Sequence, residues 1–478
     1  MANLLGTLIS SARALDVFDQ ALMVSQNNVA NASTPGYAKQ RLSLMAADFD
    51  TIKGLGGVMA GEVQSARSLY SEQDVRRQVE LLGTYQQMSE SLSAIESYFP
   101  VTGDQGISGA LNSLFQSFSA WNLEPNSQTA RQSIIDNGRR LAEVFQQTVA
   151  NLTNAAIDAD RQLRQTVDQI NQMGAALQQI NGDRRRNSQD DAGLDTRMQT
   201  VLEQLSELVS FTPLFQADGT VTILIGGQSA LVVGENLYPI SVSSDMPTDP
   251  APLYDGASAP SRLFSPGGAE ITGLVTGGRL AGLIQVRNEV LPSLSGDAYH
   301  TGDLNELAKS IADRVNEILT SSLISAGPPP VSGVPMFTYD ATSPATVAHT
   351  IGLDAGITAA GLASISPGPP QVINGAALQL ANLANPQEDA DKIGGSSYVA
   401  FYGLMSGRVG RLLSDARENQ DYRSQMTVQA RNLRSQLSAV SLDEEATLVI
   451  SFQRAYQANS QMVVILNELI GSVIDMLR

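Results

Sequence analysis

LLGTLISSARALDVFDQALMVSQNNV, residues 4–29, and LDEEATLVISFQRAYQANSQMVVILNELIGSVIDML, residues 442–477, decide the fold of this chain. In the first stretch Leu8, Leu15, Leu22 and Val29 recur every seven residues, with Leu4 and Phe18 offset by three or four. In the second, Leu442, Val449, Tyr456, Val463, Ile470 and Leu477 follow the same period, with Phe452, Leu466 and Val473 three residues behind. A seven-residue apolar repeat keeps one seam of a helix facing a partner helix. Each end therefore needs something to coil against, and the other end is the simplest candidate. A private clasp within one chain would satisfy that need. Ser11, Ser25 and Asn459, however, stand in the seams where apolar residues would be expected. Helices about thirty residues long with such seams are marginal alone and gain from lateral neighbours, which favours assembly.

At 478 residues the chain exceeds one compact core and is expected to hold two to four domains. A net charge of -18 repels nucleic acid and anionic membrane surfaces. The best candidate for a basic stripe, Arg184-Arg185-Arg186, is followed by Asp190 and Asp191 and reads as a solvated turn between two helices rather than a phosphate site. Without cysteine there is no disulfide, thiolate metal site or cysteine nucleophile. His300 and His349 have no second nitrogen ligand nearby, and no segment has the apolar length of a membrane span. Residues 1–6 lack the basic start and apolar block of a cleaved signal peptide.

Between the ends, Thr34-Pro35-Gly36 supplies the fixed φ and the positive φ of a tight turn. Residues 54–61 read as a glycine-rich turn and short strand, and helical spacing returns over 70–97 and 108–118. Phe145, Val149, Leu152, Ala156, Ala159, Leu163, Ile170 and Leu177 trace one face of a very long helix, which Gly182-Asp183 is expected to break. A second helix over 194–209 leads into β-branched runs at 220–225 and 229–233, joined through Gly226-Gly227-Gln228 as a hairpin. Helices are expected over 280–294, 304–323, 376–385 and 398–438, between loop-rich blocks at 241–278 and 327–370. The fold class is mainly α with β-rich insertions, discontinuous and multi-domain. Residues 1–45 with 440–478 form a terminal coiled coil. Residues 46–212 with 277–325 and 376–439 form a helical shaft. Outward insertions occupy 213–276 and 326–375.

Little in the chain points to catalytic chemistry. Asp443-Glu444-Glu445 is the dense acidic cluster, but Ser441 as N-cap with Glu444 three residues on reads better as a capping box than as a metal or acid/base site. Gly54-Leu55-Gly56-Gly57 lacks the Gly-Lys-Ser/Thr of a phosphate loop. Trp121 reads as core packing, and Tyr37 and Tyr456 either fill the seam or touch partners. No catalytic, cofactor or metal residues are nominated.

Asn27-Asn28-Val29-Ala30-Asn31 followed by Thr34-Pro35-Gly36-Tyr37 resembles the amino-terminal motif of rod, hook and hook-associated proteins of the bacterial flagellum. Leu442-Asp443-Glu444-Glu445-Ala446, with the run Phe452 to Ala458, resembles their carboxyl-terminal motif. Gly103 to Ser108 with Leu111-Asn112, Pro125-Asn126-Ser127, Ala130-Arg131-Gln132, the run Gln204 to Val209 and the run Gly277 to Leu283 are similar to the hook-associated members, those of the hook–filament junction. Ala439 and Ser441 stand where that family more often has Gly and Asn, and Asp195-Thr196-Arg197 matches its usual string only loosely. The resemblance implies a non-enzymatic structural subunit, exported to the flagellum by the type III pathway without signal cleavage. It also implies a ring connecting hook to filament, with contacts to itself, the hook protein, the second junction protein and a cytoplasmic export chaperone. Neither nucleic acid nor membrane is an expected partner. The assembly seam would be the heptad residues named above, and the motif residues Asn27, Asn28, Asn31, Thr34, Pro35, Gly36, Tyr37, Asp443, Glu444 and Glu445. Another axial subunit, or an axial scaffold carrying a cell-wall hydrolase, are the alternatives.

Overall fold

The structure, a computed structural model, describes residues 2–34, 36–50, 55–100, 103–186 and 191–476. It is mainly α-helical with small β-sheets. The chain begins with α1 (Ala2–Asn31), a hairpin of β1 (Gln40–Asp50) and β2 (Leu55–Ser65), α2 (Leu69–Glu96), α3 (Gly106–Leu123), α4 (Gln128–Arg186) and α5 (Ala192–Leu208). A four-stranded antiparallel sheet follows, β3 (Phe211–Phe215), β4 (Val221–Ile225), β5 (Ser229–Val233) and β6 (Asn236–Leu237), then the pair β7 (Ser241–Ser243) and β8 (Arg262–Phe264). The chain returns through α6 (Gly278–Gln285), a π-helical turn (Val286–Val290), α7 (Leu291–Ser295), α8 (Asp303–Thr320), α9 (Val347–Thr350), α10 (Gly375–Asn382), α11 (Tyr398–Ser438) and α12 (Leu442–Met476).

The backbone of the molecule is α4. Its 59 residues span about 88 Å at 1.5 Å per residue. One apolar face serves two cores in succession. Ile134, Leu141, Phe145 and Leu152 are buried with α3, α8, α10 and α11, whereas Leu163, Ile170 and Leu177 are buried with α5, α6 and the four-stranded sheet. Between them, Asp160 accepts from Arg287 Nε at 2.8 Å and from Ser261 Oγ, tying the π-helical turn and the insertion to the helix. Gly182 does not break α4. The helix continues to Arg186, because Asn181 beside it bonds the backbone of Val221 (2.8 and 2.9 Å) and Gly234 (2.8 Å) and holds this turn against the sheet. Arg184-Arg185-Arg186 is accordingly the last turn of α4 and not a free turn. Arg184 pairs with Asp195, Arg185 with Asp218 and Glu235, and Arg186 with Asp183. Asp190 lies outside the described residues.

Three further expectations change. Only a turn and a short strand are expected near residues 54–61, but an 11-residue β1 pairs with an 11-residue β2 and the hairpin packs on α1. Gly54 is outside the described residues. The helix expected over 304–323 ends at Thr320, and Leu323 belongs to a short strand paired with residues 331–332. Finally, residues 326–375 do not stand clear of the body. Met336, Phe337, Val347, Ile351 and Leu362 are buried in the same core as α3 and α4, so this block packs as part of the helical unit. The hairpin expected around residues 226–228 is present as β4 and β5, and α11 occupies the expected 398–438.

α2 and α11 run antiparallel: Arg417 reaches Ser93, Arg423 reaches Gln78 and Arg434 reaches Glu72. Their pairing carries the chain from the body to the terminal module. Gly278, at φ +79°, makes the close approach of α6 to the end of α5 possible, since a Cβ there would lie 2.4 Å from Val209 N.

Candidate assembly interface

The two terminal helices pack against each other, antiparallel, with the end of α1 beside the start of α12. Phe18 and Phe452 meet at a ring-centroid distance of 6.5 Å. On the face of α12 that carries the heptads, Val449, Phe452, Asn459, Val463, Ile470 and Val473 are half-buried and Leu466 is buried. Leu442 (56% exposed) and Tyr456 (38% exposed) are not in the seam, and Leu477 lies outside the described residues.

On α1 the deepest stripe differs from the expected one. Ser11, Ala14, Val17, Ala21, Ser25 and Asn28 are buried, while Leu8, Leu15, Phe18 and Leu22 are half-buried and Val29 is 42% exposed. The hairpin explains the rotation: α1 is covered on one side by α12 and on another by β1 and β2. Small residues fill the line where three elements converge. The larger leucines fall to the margins, and Ser10 Oγ donates to the Gly56 carbonyl across the hairpin contact. The polar positions Ser11 and Ser25 that looked like flaws in the seam are thus where the packing is closest.

The motif after α1 is a hydrogen-bonded knot. Asn28, 1% exposed, donates through Nδ2 to the Gln40 carbonyl (2.8 Å) and accepts through Oδ1 from Gln40 N (2.9 Å) and Tyr37 Oη (2.9 Å). Asn27 donates to Tyr37 Oη at 3.3 Å, Asn31 donates to the Asn27 carbonyl at 3.0 Å, and Thr34 donates to Asn31 Oδ1 at 3.2 Å. Gly36 takes φ +76°, as the turn requires; Pro35 lies outside the described residues. Tyr37 is therefore a strut in this knot rather than a filler of the seam. Burial, with the Glu445 charge nearby, raises its phenol above the ordinary tyrosine value.

The carboxyl-terminal motif closes onto the same knot. Ser441 Oγ accepts from Glu444 N at 3.4 Å, giving half of the expected capping box. The other half is absent because Glu444 turns to Lys39, whose Nζ donates to Glu444 Oε2 at 2.8 Å. Lys39 Nζ is also 3.1 Å from Glu445 Oε1. Glu445 is fully buried, and neither of its carboxylate oxygens accepts a hydrogen bond among the described residues. Burial lowers the Lys39 ammonium, but the hydrogen bond and charge of the two carboxylates more than offset it and leave it above the ordinary lysine value. Asp443 is exposed on the first turn of α12, where its charge favours the helix dipole.

Sequence reasoning missed the residues that fasten this module to the body. Lys39 N donates to the Ser438 carbonyl at 2.8 Å, so the two crossings between module and body are joined. Arg67 donates to the Gly36 carbonyl (2.8 Å), Glu72 (2.5 Å) and Asp195 (2.8 Å), and Arg434 binds Glu72 (3.2 Å) and Glu203 (2.6 Å). One signal was present: Lys39 is one of four lysines in a chain that otherwise uses arginine. The partners of Arg67 lie in three separate segments, which no local pattern reports.

The joint has an acid sensitivity of known sign. Burial pushes the Glu203 carboxyl up, and hydrogen bonds and charge from Arg434 and Arg431 bring it below the ordinary carboxylate value. A depressed folded pKa contributes stability that is complete above the unfolded value, about 4.3, and is lost as pH falls through the folded value. Urea melts between neutral and acid pH should show this loss beginning below about pH 4.5, and Glu203→Gln should flatten it. An unchanged acid slope in that variant would contradict the assignment.

No metal-holding group of His, Asp or Glu occurs among the described residues, and no helix among them is long and apolar enough to cross a membrane. A helical body carried between interlocked first and last helices, with paired motifs at both ends, is the architecture of a flagellar axial protein. A family model described as "Flagellar hook-associated protein FlgK helical domain" matches residues 92–337, and one described as "Flagellar basal body rod FlgEFG protein C-terminal" matches residues 435–476. The chain belongs to the flagellar hook-associated protein FlgK family. It is 28% identical over 517 aligned residues to flagellar hook-associated protein 1 of Bacillus subtilis, covering 98% of this chain and 97% of that one. To flagellar hook-associated protein 1 of Salmonella typhimurium it is 26% identical, over 65% of this chain and 56% of the relative. The solved flagellar hook junction protein FlgK from Burkholderia pseudomallei shares the fold, with TM-score 0.61 and 14% identity over 77% of this chain and all of that one.

Proposed function

We propose that this structural flagellar subunit forms a ring that joins hook to filament, with the α1–α12 module as its polymerisation element and the helical body as its shaft. The observation that carries this reading is the apolar surface left on the terminal helices after they have packed together. Leu5, Ile9 and Met23 on α1, and Ile450, Val464, Ile465, Leu469 and Ile474 on α12, remain exposed. A helix that is apolar beyond the width of one contact face is built for further neighbours. The seam and motif residues act together in this scheme: the knot around Asn28 and the Lys39 ion contacts set the pair, and the exposed rows receive adjacent subunits.

The hook protein and the second junction protein are the neighbours above and below, and an export chaperone holds the carboxyl-terminal segment before export. The chain passes through the flagellar channel without cleavage, for which a cysteine-free sequence is suited, and catalyses no reaction. Deleting the gene should leave cells with hooks that shed unpolymerised flagellin into the medium. Mutant cells that retain full filaments would overturn the reading, and cells that lose the hooks would favour a rod or hook subunit instead.

A further inference from the structure

We infer that the pocket between the start of α2 and β3 receives a carboxylate of a second copy of this chain, with Arg76 as its partner. The inference rests on the ring reading above and adds to it a contact outside the terminal helices. The pocket has a volume of 420 Å³, apolar walls that include Leu69, Phe211 and Phe215, and a charged lining of Arg76 and Arg77 against Glu80. β3 is an edge of the four-stranded sheet, and Leu69 and Phe215 are exposed at the rim. Arg76 is the informative member. It is only 8% exposed, yet it forms no ion pair among the described residues. Its Nη1 donates to Gln199 Oε1 at 3.1 Å, an uncharged partner, while Nε and Nη2 make no hydrogen bond and are not sealed from solvent. Arg76 lines this pocket, so a carboxylate lodged there can reach them.

The acids close to Arg76 are committed elsewhere. Glu72 is held by Arg67 and Arg434, and Glu203 by Arg431 and Arg434. Glu80, one helical turn after Arg76, packs over Gly277 instead: a Cβ on that glycine would lie 2.0 Å from Glu80 Oε1. A buried guanidinium with one neutral partner is costly until a carboxylate arrives, and a carboxylate can take two of its donors at once. The chain supplies that charge itself. It carries 48 acidic against 30 basic residues, so a second copy brings mostly carboxylates to a cationic pocket. Position agrees with this source. Arg67, two residues before Leu69, donates to the Gly36 carbonyl of the terminal module, so copies that stack through α1 and α12 come together beside the pocket. A cationic pocket on one surface and an acid on another describe a heterologous contact, which propagates into rings or helices.

Arg76→Gln in the full-length chain separates this contact from a purely structural role. The variant monomer should melt no lower than the unmodified one, because it loses a buried charge that lacks a carboxylate, while its assembly, read by sedimentation, falls roughly tenfold or more. Assembly at the unmodified level would overturn the contact, and so would a fall in assembly accompanied by a lower monomer melt. The occupant is identified with Phe215→Cys, the single cysteine of its chain, labelled with benzophenone maleimide and illuminated. Assembled protein should give a dimer whose cross-linked peptide contains Asp or Glu, and dispersed monomer should give none. No adduct in assembled protein, or a dimer joined through a peptide without an acid, would overturn the carboxylate contact and leave the ring reading standing. Adducts only to another protein, with assembly carried out on isolated hooks, would overturn the second copy as the source. Failure of the unmodified chain to associate, even on isolated hooks, would overturn both this contact and the ring.

Discussion

Trp121→Ala is expected to lower stability by roughly 3–5 kcal/mol, the usual range for emptying the site of a large buried aromatic side chain. Trp121 is fully buried at the end of α3. Its Nε1 donates to the Pro125 carbonyl at 3.1 Å, and the Arg131 guanidinium lies over its ring at 5.7 Å. Arg131 in turn donates to the Pro125 carbonyl at 3.0 Å and to the Leu362 carbonyl at 3.2 Å. One indole therefore organises the turn between α3 and α4 and the packing of residues 326–375 against it. Removing it leaves a void as well as a lost hydrogen bond, and relaxation is limited because three segments share the site. The melting of the helical body, followed by far-ultraviolet circular dichroism, should fall by about 10 °C. Leu123→Ala, at an exposed position two residues away, should leave it unchanged. A Trp121→Ala protein that melts with the unmodified chain would show that the site collapses without cost.

Asn28→Ala should act on a different part of the molecule. The side chain satisfies both the N–H and the carbonyl of Gln40 and accepts from Tyr37, all within a buried knot. Alanine orphans these groups, at roughly 1–3 kcal/mol for each that cannot find water. Because Lys39, next to Gln40, carries the links to both Glu444 and Ser438, the loss should loosen the α1–α12 pair without entering the core around Trp121. The expected outcome is faster amide exchange at Gln40 and along α12, an unshifted melt of the body, and loss of assembly. Unchanged exchange at Gln40 would contradict the role given to Asn28, and a melt of the body that moved with it would show the two regions to be one cooperative unit.

Much of the architecture was legible because it depends on period. Val449, Phe452, Val463, Leu466, Ile470 and Val473, and the run Phe145 to Leu177, show their faces directly, and β-branched runs flanking Gly226-Gly227 announce a hairpin. The failures have physical causes. Gly182 looked like a helix end because propensity penalises glycine by about 1 kcal/mol, yet Asn181 binding Val221 and Gly234 supplies a tertiary anchor that propensity does not see. β1 was missed because its residues, Gln40 to Asp50, carry little β-branched character and gain their strand conformation from pairing with β2 and packing on α1. The α1 stripe was displaced because a heptad assumes one partner, and this helix has two.

The sequence by itself determined that both ends are helices with a seven-residue apolar period, that each is flanked by a family motif, and that the middle is helical with β insertions. Those properties reside in spacing and local chemistry. Only the tertiary structure decided which face of α1 is buried, that Lys39 meets Glu444 and Glu445 across some four hundred residues, and that Glu445 is fully buried at that contact. Such facts depend on where a third element lies against a pair of helices, and no period within either helix records the position of a neighbour.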